Sequence, residues 1–393
     1  MAGITAACGG GTGVSDGTAT VQLDPRGGWS GSAEVLVHHA DGSMVSRAPI
    51  TTTAKVAVES GDTVTVAFHD GTGLRLASSS GIEPGDSIHW IAAPMSTANR
   101  VEVAVHVPTV AGATQWIAST PGSLSIGSGS GLSVDVDPGT TSIPVLAVAS
   151  ANDDTLGMYG DRAAPIANSA VELNKSVAWQ PTTISAAHAT GEVSKQLDLW
   201  IGDDDVLVPA LGTGTTIAIP TDFADRVGVV VGTSTKSSFT GVGSVTAGHP
   251  GAQVAVDLAL PDLPTFSQGA VAADHVSWNL DGGGDYDVIS VNMSASAASY
   301  EWTIDAPPGS ASVVLPKLPA DLASAKPYDS VWLDAFERSD LAGYSALIDA
   351  HTAPAAGSHW EYRAAAIVTA TSVAAPADHG KLDPRALLAH LRR

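Results

Sequence analysis

The sequence predicts an all-β protein built from several β-sandwich units in tandem, with a short helix near its C-terminal end. Apolar and polar residues alternate in short runs such as VEVAVHV (101–107) and DVISVNM (287–293), which is the two-residue period of strands with one buried face. Turn-forming clusters such as DPRGG and APPGS separate these runs. Tryptophans recur at intervals of 89, 99 and 82 residues, and such a period indicates repeated units.

The composition agrees with this fold class. At 393 residues the chain is too long for one ordinary core, and its 44% hydrophobic content can fill several. Charged residues make up only 15% of the chain. Its 31 aspartates outnumber its 9 glutamates, and because aspartate favours turns over helices, this ratio predicts a surface of strands and loops.

The charge balance limits the possible partners. There are 40 acidic and 18 basic residues, for a net charge of −22, so the surface repels phosphate backbones and we expect no nucleic-acid partner. No run of 18 apolar residues occurs that would predict a transmembrane helix.

The only cysteine lies near the start of the chain, in Ala6-Ala7-Cys8 followed by Gly9. This segment resembles the cleavage and lipidation site of bacterial lipoproteins. The resemblance implies a lipidated Cys8, a signal peptide that is missing from this sequence, and a flexible tether over residues 1–18. The alternative is a disordered N-terminus with an incidental cysteine. A single cysteine excludes an internal disulfide and a cysteine-based metal site.

The first folded unit is expected over residues 19–86. The run EVLVHHADGSMVSRAPITTTAKVAVESGDTVTVAF, with a hairpin turn at Asp41-Gly42, resembles the carboxypeptidase regulatory-like β-sandwich. This resemblance implies a structural and adhesive spacer without catalytic residues.

Further units are expected at 87–175, 176–272 and 273–375. Tryptophans in similar contexts lie at positions 90, 179, 278 and 360. The first three lie near the openings of these units, and a second tryptophan follows each of them. The segment 275–337 resembles a fibronectin type III domain, with HVSWNL, YEW and a Leu-Pro turn leading to a tyrosine. Immunoglobulin and fibronectin III-like sandwiches place such rings between their sheets. The resemblance therefore implies that Trp278 and Tyr328 are core residues, and the repeated context of Trp90 and Trp179 predicts the same role for them.

The tail over residues 376–393 has a different character. Asp383-Pro384 is typical of a helix start, and the following PRALLAHLRR places Leu387, Leu388 and Leu391 on one face. We expect a linker and a short amphipathic helix that docks on the acidic body or frays.

No catalytic or metal-binding signature occurs in the sequence. His38 and His39 are adjacent on an expected strand and so point to opposite faces, which prevents joint chelation. Calcium prefers clustered carboxylates on a flexible loop. Two loops offer them, one with Asp203, Asp204 and Asp205 and the other with Asp281, Asp285 and Asp287. The alternative is that both are ordinary aspartate-rich turns.

The second tryptophan of each unit, at Trp116, Trp200 and Trp302, has two interpretations. An exposed ring face would form a platform for stacking sugars, as in carbohydrate-binding modules, whereas a repeated strand position favours a core role.

These features predict a non-enzymatic exported surface lipoprotein with a structural, adhesive or binding role, located in the cell envelope, outer membrane or extracellular surface of a bacterium. The lipid anchor would bring it to the membrane, and its other partners would be glycans or envelope proteins. No catalytic residue is assigned, and calcium is the one cofactor considered. The alternatives are a carbohydrate-binding module protein and, less favoured, a hydrolase with a site between domains.

Overall fold

The computed structural model describes residues 17–367 except 26–30, 70–72, 93–99, 129–130, 153, 203, 210–214, 236, 261–262, 296–298, 325–327 and 351–353. It confirms the all-β class, with 64% of the described residues in strands and 2% in helices. The described residues form 28 strands and one short helix. No described helix has the length and apolarity needed to cross a bilayer.

The first sandwich has seven strands: β1 Thr18–Pro25, β2 Ser32–His38, β3 Met44–Ile50, β4 Thr53–Ala57, β5 Asp62–His69, β6 Leu74–Ile82 and β7 Ser87–Ala92. One sheet has the order β4-β1-β7, and the other has the order β3-β2-β5-β6. The first strand runs antiparallel to β4 but parallel to β7. The pairing of β7 with β1 therefore places residues 87–92, which were expected to open the second unit, in the first.

The second and third sandwiches repeat this topology. The second contains β8 Val101–His106, β9 Gln115–Thr120, β10 Ser123–Gly127, β11 Leu132–Val136, β12 Ser142–Ala151, β13 Asp154–Pro165 and β14 Ala170–Glu172. The third contains β15 Trp179–Ala187, β16 Glu192–Ile201, β17 Asp204–Pro209, β18 Thr216–Pro220, β19 Arg226–Ser234, β20 Ser238–Ala247 and β21 Gln253–Asp257. In both, the first strand again lies between the fourth and a parallel seventh strand.

The fourth sandwich departs from the pattern in one strand. It contains β22 Thr265–Val271, β23 His275–Asp281, β24 Val288–Ala295, β25 Tyr300–Ala306, β26 Ser312–Val314, β27 Ser330–Arg338 and β28 His359–Ala366, with helix α1 Tyr344–Ile348 before the last strand. Its small sheet has the order β22-β23-β26. The place of the seventh strand is thus taken by β22, which precedes the first strand in sequence and pairs with it in the antiparallel sense.

Three of the sandwiches share one continuous sheet of twelve strands. Its order is β17-β16-β19-β20-β28-β27-β24-β25-β6-β5-β2-β3, which joins the four-stranded sheets of the third, fourth and first sandwiches edge to edge. The third and fourth meet through the antiparallel pair β20–β28, and the fourth and first meet through the parallel pair β25–β6. These joints cover sheet edges that would otherwise expose unpaired backbone groups.

Apolar side chains continue across these joints. Leu36, Ala67 and Leu76 lie on the outer face of the first sandwich and are buried in the core of the fourth. On the opposite face, Trp200 of the third sandwich and Trp360 of the fourth belong to the core that also fills the first sandwich. The second sandwich buries the side chains of Leu146, Val148 and Met158 in the core of the third. The four units are therefore packed against one another along their length.

The connection between the third and fourth sandwiches is held by Arg363 on β28. Its guanidinium donates hydrogen bonds to the backbone carbonyls of Ala259 at 2.8 Å, Leu260 at 3.0 Å and Leu263 at 2.7 Å. A further bond of 3.0 Å reaches the hydroxyl of Thr265. One side chain thereby satisfies three backbone carbonyls of residues that lie between the strands β21 and β22.

Candidate functional site

The four residues expected in the cores lie at different depths. Trp90 on β7 is 4% exposed and Trp278 on β23 is 3% exposed, and Trp278 donates its indole N–H to the Ser310 carbonyl at 2.8 Å. Trp179 at the start of β15 and Tyr328 are partly buried and pack against the third and fourth cores.

The four recurring tryptophans do not all occupy equivalent strands. Trp90 lies on a seventh strand, Trp179 and Trp278 lie on first strands, and Trp360 lies on a sixth strand. The units resemble one another in strand order and not in the positions of these tryptophans. Several positions in a sandwich can place a large side chain between the sheets. The near-regular spacing therefore does not mark equivalent sites, which corrects that part of the sequence interpretation.

The tryptophans considered for sugar stacking are buried. Trp116, Trp200 and Trp302 are 4%, 5% and 3% exposed. Trp116 packs against Tyr159 and Trp200 packs edge-on against Trp360. Since stacking needs an open ring face, this burial agrees with the core role that the repeated strand position favours and not with the alternative of a platform for a carbohydrate.

The aspartates considered for calcium are spread over separate structural roles. Asp204 and Asp205 lie on β17, Asp281 and Asp285 are exposed, and Asp203 lies outside the described residues. Asp287 is buried and accepts the backbone N–H of Arg338 at 2.8 Å; burial raises the pKa of this carboxyl. Within the described ranges, no group of three or more His, Cys, Asp or Glu side chains could hold a metal ion.

Two other sequence assignments fall outside the described residues. These are the lipidation site at Cys8 and the amphipathic tail from 376 onward.

A polar row crosses the sheet of the fourth sandwich. Asn292 donates to Asp334 at 2.5 Å and accepts from Thr303 at 2.8 Å, while Ser290 donates to the buried Asp305 at 2.6 Å. Burial, with the nearby Asp334 charge, holds the pKa of Tyr362 well above its ordinary value. These groups satisfy one another across four adjacent strands, so their role is cross-strand stabilisation.

A cleft of about 370 Å³ lies beside the joint between the first and fourth sandwiches. Trp302 and Tyr328 lie at its base, the segment 315–318 forms one wall, and Asp274, Lys317 and Ser324 contribute its polar groups. We call it the joint cleft. This volume and this mixture of apolar wall and few polar groups are typical of small-ligand sites.

The wall of the joint cleft is fixed from both sandwiches. The Leu315 N–H donates to the Asp274 carbonyl at 2.8 Å, and the Lys317 N–H donates to the Gly42 carbonyl of the first sandwich at 2.9 Å. Gly42 has a φ of +79°, and a Cβ there would lie 3.0 Å from the Leu315 carbonyl oxygen. Both the backbone conformation and the close approach therefore require glycine at this turn.

The base of the joint cleft is equally ordered. The Trp302 indole N–H donates to the Ser78 hydroxyl of β6 at 2.9 Å, and the Tyr328 ring lies 6.0 Å from that of Tyr300. Burial raises the pKa of Tyr328, so its phenol is neutral at physiological pH. The base is thus a rigid, neutral aromatic surface.

The rim carries charges of both signs. The Asp274 carboxylate lies 2.7 Å from His275 Nδ1. That hydrogen bond lowers the pKa of Asp274, and the positive charge of Lys317 acts in the same direction. The same lysine also interacts with Asp41 across the joint. Sequence reasoning missed this site, because Asp274 and Lys317 lie 43 positions apart on loops that only the tertiary fold brings together.

Comparison of the sequence with protein-family models and with curated proteins finds no match.

Proposed function

We propose that this chain is a non-enzymatic structural or adhesive protein of a bacterial cell surface. The observation that carries the proposal is the twelve-stranded sheet, in which β20–β28 and β25–β6 join three sandwiches edge to edge. A chain of sandwiches connected only by linkers bends freely between units. Continuous ladders and shared cores instead hold these units in one fixed arrangement.

A fixed arrangement of this kind suits a protein that holds a shape or a distance outside the cell. Backbone ladders between units must break together before the units separate, which supports resistance to pulling. The net charge of −22 adds solubility and repels other anionic surfaces. Rigidity and charge thus support a spacer or adhesive role over a role in chemistry.

The location outside the cell is part of the proposal. A chain of 393 residues with one cysteine avoids unwanted disulfides in an oxidising compartment. The Ala6-Ala7-Cys8-Gly9 segment supplies the expected site for a lipid anchor, which would hold the protein at the envelope. We propose the cell envelope, outer membrane or extracellular surface as its location.

The test is to produce the full gene product, with a C-terminal tag, in its own bacterium. We expect the protein in the envelope fraction, cleaved by protease added to intact cells, and labelled by a fatty-acid precursor. The matched control is Cys8→Ser, which should lose the label and the membrane association but retain the fold. Recovery of the unmodified protein only from the cytosolic fraction would contradict the proposal.

A further inference from the structure

We propose that Asn174 is the acceptor of an N-linked glycan. The chain contains two Asn-x-Ser/Thr triplets, Asn174-Lys175-Ser176 and Asn292-Met293-Ser294. In exported proteins this triplet marks asparagines to which a membrane transferase attaches an oligosaccharide, and the modified asparagines lie on the surface. The inference rests on the location outside the cytoplasm that is proposed above, and the two triplets differ sharply in their place in the fold.

Asn174 lies on the surface between the second and third sandwiches. It belongs to the irregular segment that connects β14 to β15, and its neighbours Lys175 and Ser176 are exposed as well. Leu173 is buried in the core of the second sandwich and Val177 in the core of the third. These two apolar side chains hold the segment against the protein and leave the polar residues between them outside. An oligosaccharide on the Asn174 amide would therefore extend into solvent without entering either core.

The transfer itself is a substitution at a sugar carbon. The Asn174 Nδ2 forms a bond to the anomeric carbon of a lipid-linked oligosaccharide diphosphate, the bond from that carbon to the diphosphate breaks, and the lipid diphosphate leaves. The proton lost from the amide goes to a base of the transferase. The Ser176 hydroxyl, two positions after the acceptor, completes the triplet that the enzyme recognises. Among the described residues no hydrogen bond holds the Asn174 side chain, so the fold does not engage its amide nitrogen elsewhere.

Asn292 carries the same triplet but has no room for a glycan. It lies on β24, inside the twelve-stranded sheet, where it is paired with Thr303 on one side and with Trp332 on the other. Its side-chain amide donates to Asp334 at 2.5 Å and accepts from Thr303 at 2.8 Å. An oligosaccharide on this nitrogen would displace Asp334 and the neighbouring ring, so a chain modified there would not form this sheet. We therefore expect modification at Asn174 alone.

The first experiment is peptide mass spectrometry of the full gene product, purified from the envelope of its own bacterium. We expect peptides that contain Asn174 to carry the added mass of an oligosaccharide. Peptides that contain Asn292 should have the mass of the unmodified sequence. An unmodified Asn174 in protein from the envelope would overturn this inference and leave the proposed location standing. Recovery of the protein only from the cytosolic fraction would overturn both.

The second experiment tests the acceptor and its hydroxyl by substitution. Asn174→Gln and Ser176→Ala should each abolish the added mass, because the first removes the acceptor and the second removes the hydroxyl of the triplet. Ser176→Thr keeps a hydroxyl and should keep the glycan. The matched control Ser294→Ala removes the corresponding hydroxyl after Asn292 and should leave the added mass unchanged. Retention of that mass in Asn174→Gln, or its loss in Ser294→Ala, would place the glycan elsewhere and overturn the assignment.

Discussion

Gly243 lies directly beneath the indole of Trp360, which is fully buried. A Cβ at this position would overlap the Trp360 ring atoms. Similar close approaches occur at Gly228, where a Cβ would lie 2.7 Å from the Trp200 ring, and at Gly232, where it would lie 2.5 Å from Phe239. Glycines on β19 and β20 therefore let large aromatic rings lie flat against the sheet of the third sandwich.

This contact predicts the effect of Gly243→Ala. Added methyl groups in packed cores force neighbours from their positions, so we expect a loss of about 1–3 kcal/mol in the free energy of unfolding, measured by urea denaturation. Gly284→Ala is the matched control, since a Cβ there meets nothing within 4 Å. A Gly243→Ala protein as stable as the control would show that the ring moves aside at no cost.

His38 is fully buried behind the wall of the joint cleft. Burial lowers the pKa of its imidazole, while the Lys317 backbone and the charge of Asp62 act weakly in the opposite direction. A base with a lowered pKa is kept neutral by the fold. Its contribution to stability is therefore complete above the ordinary histidine pKa of about 6.5 and is lost as the pH falls below that value.

The prediction is a loss of stability in acid that depends on this residue. Between about pH 7.5 and about pH 5, the free energy of unfolding of the unmodified chain should fall by more than that of His38→Gln. His188→Gln serves as the control, because His188 is exposed beside Asp257 and should not reduce the loss. Parallel pH profiles for the unmodified and His38→Gln proteins would exclude His38 as the cause.

At the scale of elements, β3 forms one end of the twelve-stranded sheet, and all but its last residue is exposed. An exposed edge strand invites pairing with another chain. Pro49 lacks an N–H that an added strand could use. Arg47, also on β3, forms ion pairs with Glu34 on the neighbouring strand β2 and with Asp321, the latter at 2.6 Å. These two residues protect the edge from further sheet growth.

Replacement of that proline tests the protection. We expect Pro49→Thr to increase self-association, seen as dimers and larger species in sedimentation velocity, because it restores a backbone donor on an exposed strand. Pro138→Thr removes a proline from an exposed turn and should stay in the state of the unmodified protein. A monomeric Pro49→Thr protein at concentrations where the unmodified chain is also monomeric would contradict this role.

At the scale of the whole molecule, the joint between the first and fourth sandwiches governs cooperativity. Leu76 lies on the outer face of β6, where an isolated first sandwich would expose it, yet it is fully buried by the fourth. The same holds for Leu36 and Ala67. We therefore expect these two sandwiches to unfold in one transition.

A polar residue at this joint should make the first and fourth sandwiches unfold in separate transitions. Leu76→Gln places an amide in an apolar core, and we expect a loss of about 3 kcal/mol together with a split of the calorimetric transition into two. Leu156→Gln, at a position that is 40% exposed on the second sandwich, controls for the chemical change. A small shift without splitting would show that the joint contributes little to cooperativity.

The sequence was sufficient for the all-β class, because the alternation in segment 101–107 predicts β8, where Val103 and Val105 are buried and Ala104 between them is only partly buried. It was not sufficient for strand order. The parallel partner of β1 is β7, more than sixty residues away, and β22 replaces a seventh strand from the other side of its unit. Such pairings depend on how the strands assemble into sheets in three dimensions. The local alternation of apolar and polar residues does not predict them.

The candidate site was beyond sequence reasoning for the same reason. The sequence left Trp302 with two interpretations, a stacking platform or a core residue. Its indole is buried and donates to Ser78 of the first sandwich, a partner that no local pattern indicates. The residues that carry the rim, Asp274 and Lys317, have no motif around them. These residues are brought to one place only by the packing of the fourth sandwich against the first.

The joint β25–β6 also sets the order in which a nascent chain can be completed. The strand β6 leaves the ribosome more than two hundred residues before β25, with which it pairs through Tyr300 and Leu74. Until β25 is made, the edge of β6 has no partner strand. The edge of β20 likewise has no partner until β28 is made. A chain released after β20 and before β25 would therefore expose two unpaired strand edges, and such edges make partly folded chains prone to aggregate.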